Sequence, residues 1–382
     1  LVGMELKLDN RLDLFAATPP LETLRMICSM CASNQGGKSP YRIMAIDVKR
    51  AYFYAKARRP VYIEVPIEDY KEGDEQNVGK LNLSLYGTRD AAQNWAKEYT
   101  SLLVAIGFVT GKASPCNFHH EDKEILMTVH GDDFTATAPT ESLKWLENKM
   151  AERFDIKTEM LGPEAGMKTE VRILNRIIRW SKAGIEYEPD QRHADLIVSQ
   201  LGMEKAKPVA SPVVPEDKDE AQRREASKEL SKQDGTKYRA LAARLNYLAL
   251  DRSDLQFAAK KVAKHMASPK EIDWEKLKRV ARYLVGAPRA VQLFKWQQMP
   301  DSLQAFTDSD WAGDKLTRKS TSGGVIMFGD HMLKSWSSTQ QVIAMSSGEA
   351  ELYALIKGAS QIKGMMTQFK EWGTEVNGII RT

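Results

Sequence analysis

Apolar and polar positions along the chain switch between two periods. Leu21, Leu24, Cys28 and Cys31 recur at helical spacing, which predicts a helix from Leu21 to Ala32, ended by the polar stretch Ser33-Asn34-Gln35-Gly36-Gly37-Lys38-Ser39-Pro40. The period then becomes two. Tyr41, Ile43, Ala45 and Asp47 alternate with Arg42, Met44, Ile46 and Val48, a strand pattern that delivers Asp47 at its end. Val61 to Val65 predicts a second strand, followed by a polar loop through Gly79, and Ala91 to Ile106 a long helix carrying Trp95, Tyr99, Leu102 and Leu103. Phe118, Ile125 to Val129 and Phe134 to Ala138 read as strands, the last two joined by His130-Gly131-Asp132-Asp133. Gly131 can take positive φ there, so one hairpin tip can project both aspartates.

Further on, Glu141 to Phe154 reads as a helix and Val171 to Ile185 as a hairpin. Lys205 to Gln233, rich in Lys, Glu, Pro and Ser, reads as a linker or mobile surface segment. Tyr238 to Leu250, Leu255 to Met266 and Trp274 to Leu284 have helical patterns; Leu303 to Phe306, Gly324 to Phe328 and Leu333 to Trp336 are short strands. A helix starts at Ser347, with Ser346 as N-cap and Glu349 as its reciprocal partner in a capping box. No internal repeat is evident.

Composition narrows the class only modestly. The 382 residues, 42% hydrophobic and 28% charged, suffice for two or three domains, and no run of 18 apolar residues suggests a membrane span. The start Leu1-Val2-Gly3 lacks an initiator Met and a basic-then-apolar leader, so we expect a piece of something longer and not a secretory precursor. Cys28, Cys31 and Cys116 cannot all pair and fit a reducing, intracellular compartment. Cys28-x2-Cys31 and Cys116-x2-His119 have zinc-like spacing, but the first pair falls in an apolar helix, where Cys behaves as a small core residue. The net charge of +4 is small, yet residues 256–296 carry ten Lys/Arg against three acids, with aromatics interleaved. A helix there would bury Trp274, Leu277, Ala281 and Leu284 and turn Lys278, Arg279 and Arg282 outward, as a nucleic-acid contact or a solvated basic face.

The candidate chemistry lies with the aspartates. Asp132 and Asp133 crowd two negative charges at a tight turn, which is unfavourable unless a cation sits between them. With Asp47 from a separate strand they make a set of hard oxygen donors suited to divalent metal and phosphoryl transfer. An Asp-Asp pair alone is weak evidence, since most are solvated loop residues. An unrelated two-metal nuclease or phosphatase would explain the aspartates but not their surroundings.

Those surroundings are specific. Ile46-Asp47-Val48-Lys49-Arg50-Ala51-Tyr52-Phe53, Val61-Tyr62-Ile63-Glu64-Val65-Pro66, Leu83-Ser84-Leu85-Tyr86-Gly87-Thr88-Arg89-Asp90-Ala91 and Asn94-Trp95 closely resemble the reverse transcriptase of copia-type LTR retrotransposons. The resemblance continues, in the family's order, through Tyr238-Arg239-Ala240-Leu241, Asn246-Tyr247-Leu248-Ala249, Trp274 and Lys278-Arg279-Val280-Ala281-Arg282-Tyr283-Leu284. It ends with Thr307-Asp308-Ser309-Asp310-Trp311-Ala312-Gly313-Asp314, Arg318-Lys319-Ser320-Thr321-Ser322-Gly323-Gly324 and Ser346-Ser347-Gly348-Glu349-Ala350-Glu351.

The resemblance implies an α+β fold: a right-hand polymerase palm with truncated fingers and a thumb-like part over 1–204, a linker over 205–237, a helical connection over 238–300 and a partial ribonuclease H-like sheet over 301–382. It implies Asp47, Asp132 and Asp133 as polymerase ligands for Mg²⁺ or Mn²⁺, with Tyr52 against the sugar of the incoming nucleotide, where a ring would collide with a ribose 2′-hydroxyl. Tyr86 and Gly87 would line the nucleotide pocket, and Arg25 would meet the triphosphate. Packing alone is the plainer reading of Tyr52 and Tyr86. In the tail, Asp308 and Glu351 would bind metal for hydrolysis of RNA paired with DNA; Asp310 is the alternative to Asp308, and Glu349 is a cap. The implied partners are an RNA template, a DNA primer, an RNA–DNA hybrid, dNTPs and other products of a Pol polyprotein that serves DNA integration; no membrane is implied.

Two departures stand out. His130 replaces the aromatic usual at the start of the paired-Asp turn, which weakens the expected packing on template or primer. The segment before Arg25 is too short for the family's fingers strands, and the chain stops at Thr382, so we expect the strand after the Glu351 helix to be missing and no ribonuclease H activity. The competing expectation is a decayed or fragmentary copy that does not catalyse and at most binds nucleic acid.

Overall fold

The computed structural model describes residues 16–37, 39–73, 77–214 and 219–382; the start at Leu1, Lys38 of the polar stretch, and 215–218 of the expected linker lie outside them. Helix α1 (Glu22–Ser33) and strand β1 (Tyr41–Val48) form where the period changes from helical to alternating. After a 3-10 turn at Ala51–Tyr54, β2 (Tyr62–Glu64) and β3 (Val78–Lys80) make a separate two-stranded hairpin. The expected polar loop through Gly79 therefore ends in a strand, one whose only bulky apolar residue is Val78.

Next come α2 (Ala91–Ala105), β4 (Val109–Thr110), β5 (Asn117–His120), β6 (Ile125–His130), β7 (Asp133–Pro139), α3 (Thr140–Ala151) and β8 (Ile156–Leu161). The strands pair antiparallel in the order β4-β5-β6-β7-β1-β8. Alternation gives this sheet two different faces. Met44, Ile46, Val48, Val129, Phe134 and Ala136 join Trp95, Tyr99 and Leu103 of α2 and Leu143, Leu146 and Met150 of α3 in one core. On the opposite face Ile43, Leu126 and Leu161 pack with Leu24 and Ile27 of α1, while Asp47 at the far end of β1 stays exposed.

The chain continues through β9 (Glu170–Ile173), β10 (Arg176–Trp180), β11 (Gly184–Glu188), α4 (Arg192–Gln200), α5 (Glu220–Ala226), α6 (Lys232–Ala249), α7 (Gln256–Ala263), α8 (Glu271–Gly286) and β12 (Gln292–Lys295). It ends with β13 (Ser302–Ser309), β14 (Thr321–Phe328), β15 (His331–Thr339), α9 (Ser347–Glu371) and β16 (Asn377–Arg381). The stretch expected to be a linker holds α5 and the first turn of α6, where the Ser231 hydroxyl accepts from the Asp234 N–H at 3.1 Å. Helices α4, α6, α7 and α8 share their own core, in which Leu277, Ala281 and Leu284 are buried as expected and Trp274 is half-buried at its margin.

β9 to β12 form a four-stranded sheet, and β15-β14-β13-β16 another. The strand expected to be missing after the Glu351 helix is present: β16 pairs parallel with β13, from Ser302↔Asn377 to Phe306↔Arg381. Parallel pairing needs a long crossover, and α9 supplies it. Helix α1 is buried over all but its first residue. It packs with the six-stranded sheet on one side and with Leu303, Ile326, Phe328 and Leu333 of the last sheet, so α1 and the last sheet share one core.

Candidate functional site

The paired aspartates lie at a two-residue hairpin. His130 pairs with Asp133 across β6 and β7, leaving Gly131 and Asp132 as the turn. Gly131 has φ +67°, at the first central position where a type II′ turn requires it. A Cβ at Gly131 would meet nothing within 4 Å, so backbone conformation rather than space demands glycine. Both turn carbonyls are held: the Trp95 indole N–H donates to Gly131 O at 2.8 Å and the Val48 N–H to Asp132 O at 3.2 Å. Trp95 is 1% exposed, so α2 presents a rigid anchor.

On its other side β7 pairs with β1, and the register sets Asp47 directly opposite Asp133. Cross-strand partners share a face. Asp47 and Asp133 therefore project from the same face, with Asp132 at the adjoining tip. The electrostatics show this crowding: burial first, then the Asp132 and Asp47 charges, push the Asp133 carboxyl above its usual range, against a smaller lowering by His130. Lys157 of β8 is the cross-strand partner of Asp47, and with Arg172 it borders a shallow cavity next to Asp47 and Asp133. The sequence marked neither cation, and it marked Trp95 through the resemblance but not as the anchor of the turn. Only the alternation of β8 could have placed Lys157 on the carboxylate face.

Three carboxylates on two paired strands suit a hard divalent cation in donor type and backbone placement. Among the described residues, no three His, Cys, Asp or Glu side chains converge into a closed metal-binding group. The carboxylates adjoin one another without being drawn together.

Tyr52 lies on the 3-10 turn that follows β1, half-buried. Its ring centroid is 4.4 Å from that of Tyr86, whose ring also meets Phe53 at 5.7 Å. Tyr86 is 47% exposed. Gly87 follows with φ +89°, and Thr88 N–H donates to Leu85 O at 3.1 Å, the arrangement of a type II turn. Desolvation, then the Asp132 charge, then Tyr52 raise the Tyr86 phenol above its usual range. Tyr86 is therefore near enough to the aspartate turn to feel the Asp132 charge.

Other expected site residues lie elsewhere. Arg25, expected to meet the triphosphate, is turned into the protein instead: it is buried in α1 and donates to Leu250 O at 2.7 Å, Asp251 Oδ1 at 3.0 Å and Leu333 O at 3.4 Å. Its place in an apolar helix forces that guanidinium to find internal acceptors. Lys278 pairs with Glu275 at 2.8 Å, Arg282 donates to Lys207 O at 2.8 Å, and Arg279 borders a cavity with Pro212 and Val213, so much of this basic helix face is spent on its own neighbours. Asp308 is exposed near the end of β13. Glu351 of α9 accepts from Ser309 N–H at 3.2 Å and from its hydroxyl at 3.0 Å. Asp310 accepts from Gly313 and Thr321 N–H groups, which makes it a turn residue. Glu349 caps α9, taking the Met345 N–H at 2.6 Å. The three cysteines are buried and unpaired, and burial pushes Cys31 to about 12 and Cys116 to about 11.

The chain belongs to the reverse transcriptase (RNA-dependent DNA polymerase) family, whose pattern matches residues 7–215. Among its curated relatives are copia-type retrotransposon Pol polyproteins. It is 29% identical over 351 residues to the retrovirus-related Pol polyprotein from transposon RE2 of Arabidopsis thaliana, covering 88% of this chain and 22% of that protein. The RE1 polyprotein of the same plant is 31% identical over 87% of this chain and 22% of its own length. The polyprotein from transposon TNT 1-94 of Nicotiana tabacum is 24% identical over 94% and 27%. The chain thus spans about a fifth to a quarter of these relatives. No helix among the described residues is long and apolar enough to cross a membrane.

Proposed function

We propose that this chain carries a polymerase site that extends a DNA primer on an RNA or DNA template, using Asp47, Asp132 and Asp133. One observation carries the reading: the register that sets Asp47 opposite Asp133, beside a turn whose two carbonyls are pinned. Those three residues would hold Mg²⁺ or Mn²⁺, which when bound lowers the pKa of a 3′-hydroxyl and neutralises charge on leaving pyrophosphate. The chain's own work is positional. Trp95 and Val48 fix the turn, so the carboxylates do not need to be ordered when substrate arrives. Tyr52, backed by Tyr86, offers a ring edge that excludes a 2′-hydroxyl and so selects deoxynucleotides.

The partners under this reading are a primer, its template and dNTPs. We read β1 to β8 with α2 and α3 as the palm, and β13 to β16 with α9 as a ribonuclease H-like unit. In that unit Asp308 and Glu351 are the candidate metal ligands, and β16 brings no carboxylate to them; we expect no hybrid hydrolysis from this chain. The test is Mg²⁺-dependent extension of a labelled primer. Asp132→Asn should reduce it to background with the fold intact by circular dichroism. Equal extension by variant and parent would remove the site assignment.

A further inference from the structure

The cavity beside the carboxylate hairpin measures about 370 Å³ and is lined by three stretches of the fold. One is the sheet, with Thr128, His130, Asp133 and Thr135; a second is the start of α1 and the segment before it, with Pro20 and Leu24; the third includes Arg176 and Tyr247. With His130 at the start of the turn, the larger aromatic surface comes from the third stretch. Tyr247, near the end of α6, is 38% exposed. It is also held from behind. The His193 ring lies 4.6 Å from its ring at 49°, and the Arg176 guanidinium is 5.9 Å from its centroid.

That backing is rigid. Arg176 Nε and Nη2 donate to Asp251 Oδ2 at 3.0 and 2.8 Å, and Asp251 Oδ1 also accepts from Arg25 at 3.0 Å and from the Tyr187 hydroxyl at 2.7 Å. Two guanidiniums against one carboxylate leave this cluster with an excess of positive charge. Arg244 donates to His193 Nδ1 at 3.3 Å, and the Asp190 carboxylate, itself paired with Arg192, lies 3.8 Å from His193 Nε2. On the sheet wall the Thr128 hydroxyl is buried without a hydrogen-bond partner, and a buried polar atom of that kind calls for a ligand or a water. A preorganised π-face on a cationic wall suits a nucleic-acid strand: a base or sugar stacks on the ring, and phosphates are drawn to the charge.

We propose that Tyr247 stacks on the terminal nucleoside of the strand whose 3′ end is presented to Asp47, Asp132 and Asp133. This rests on the polymerase reading above and adds a positioning residue from the helical region. The Asp251 cluster sets the ring's place; the ring sets the strand's.

The test uses the full chain and a primer–template duplex bearing 2-aminopurine as the last primer nucleotide. Wild-type protein should change the fluorescence of that base. Tyr247→Ala should lose most of the change, weaken duplex binding about tenfold and raise the KM for primer–template by a similar factor. Tyr247→Phe, which keeps the ring and removes only the hydroxyl, should restore all three. If Tyr247→Ala, folded by its melting curve, gives the wild-type fluorescence and affinity, the stacking proposal is overturned. Asp132→Asn separates the two readings, because it should bind with the full Tyr247-dependent signal while extending nothing. Tyr247-dependent binding by a wild-type chain that cannot extend would sink the polymerase reading and keep the stacking. Extension that ignores Tyr247 would do the reverse, and a wild-type chain that binds no duplex would end both.

Discussion

At the scale of single residues, the site rests on a few side chains whose chemistry has no alternative use. Asp133 is harder to ionise than an ordinary aspartate because it is partly desolvated beside two like charges. Tyr52 is different: a half-buried ring on a turn is as well explained by packing, and only its pairing with exposed Tyr86 beside Asp132 sets it apart. Tyr52→Val should raise incorporation of ribonucleotides relative to deoxynucleotides by about tenfold or more, measured in single-nucleotide extension with matched rNTP and dNTP. Unchanged discrimination would return Tyr52 to a packing role. Residue types also show where sequence reasoning misled. The family resemblance implied Arg25 as a triphosphate ligand, but Arg25 sits in a helix buried on all sides, and burial on that scale is invisible until the last sheet folds over α1.

At the scale of elements, the legible pieces were those with a clean period. Tyr41 to Val48 alternates without a break, and Leu21 to Ala32 keeps helical spacing throughout, so α1 and β1 lie within a residue or so of their expected ends. The hairpin was legible because Gly131 allows a tight turn between two apolar runs. What escaped was short or locally ambiguous: β3 has three residues, and β8 interleaves Lys157 and Glu159 with half-buried positions. β16 was missed because Asn377-Gly378-Ile379-Ile380-Arg381 gains its identity only from pairing with β13, about seventy residues earlier. The expected basic face of α8 did form a helix, yet Glu275 and the Lys207 carbonyl take up its charges. One element-scale dependence is testable. Trp95→Phe keeps an aromatic ring in the α2 core but removes the N–H that holds Gly131 O. We expect a stability loss of about 1–2 kcal/mol in denaturant titration, and a fall in primer extension of roughly 10- to 100-fold. Full activity in the variant would show that the indole packs without positioning the turn.

At the scale of the whole molecule, helix α1 and the last sheet are one packing problem. Helix α1 lies between the first sheet and the last, and the Asp251 cluster ties α1, β10, β11 and the end of α6 to one carboxylate. The last sheet is also tied to the helical region: Asp314 accepts from Lys264 at 2.5 Å and from the N–H groups of Leu316 and Thr317. Burial raises the Asp314 carboxyl, but these bonds outweigh it and hold the group down at about 2. A carboxylate whose folded pKa is depressed adds stability that is complete above its unfolded value, near 4, and lost as pH falls through the folded one. The link should therefore add on the order of 2 kcal/mol at neutral pH, lost progressively between about pH 4 and 2. Asp314→Asn should lower the melting temperature at pH 7 and flatten its decline below pH 4. Parallel wild-type and variant curves across that window would refute the link.

The most direct measurement is Mn²⁺ binding followed by electron paramagnetic resonance, because it reads the three carboxylates without requiring a full catalytic cycle. If Asp47 from one strand and Asp132 and Asp133 from the hairpin serve one site, Asp47→Asn and Asp133→Asn should each weaken Mn²⁺ binding at least about tenfold, with the fold retained. Wild-type affinity in either variant would mean that the opposing strands do not share an ion, and the polymerase site proposed here would be wrong.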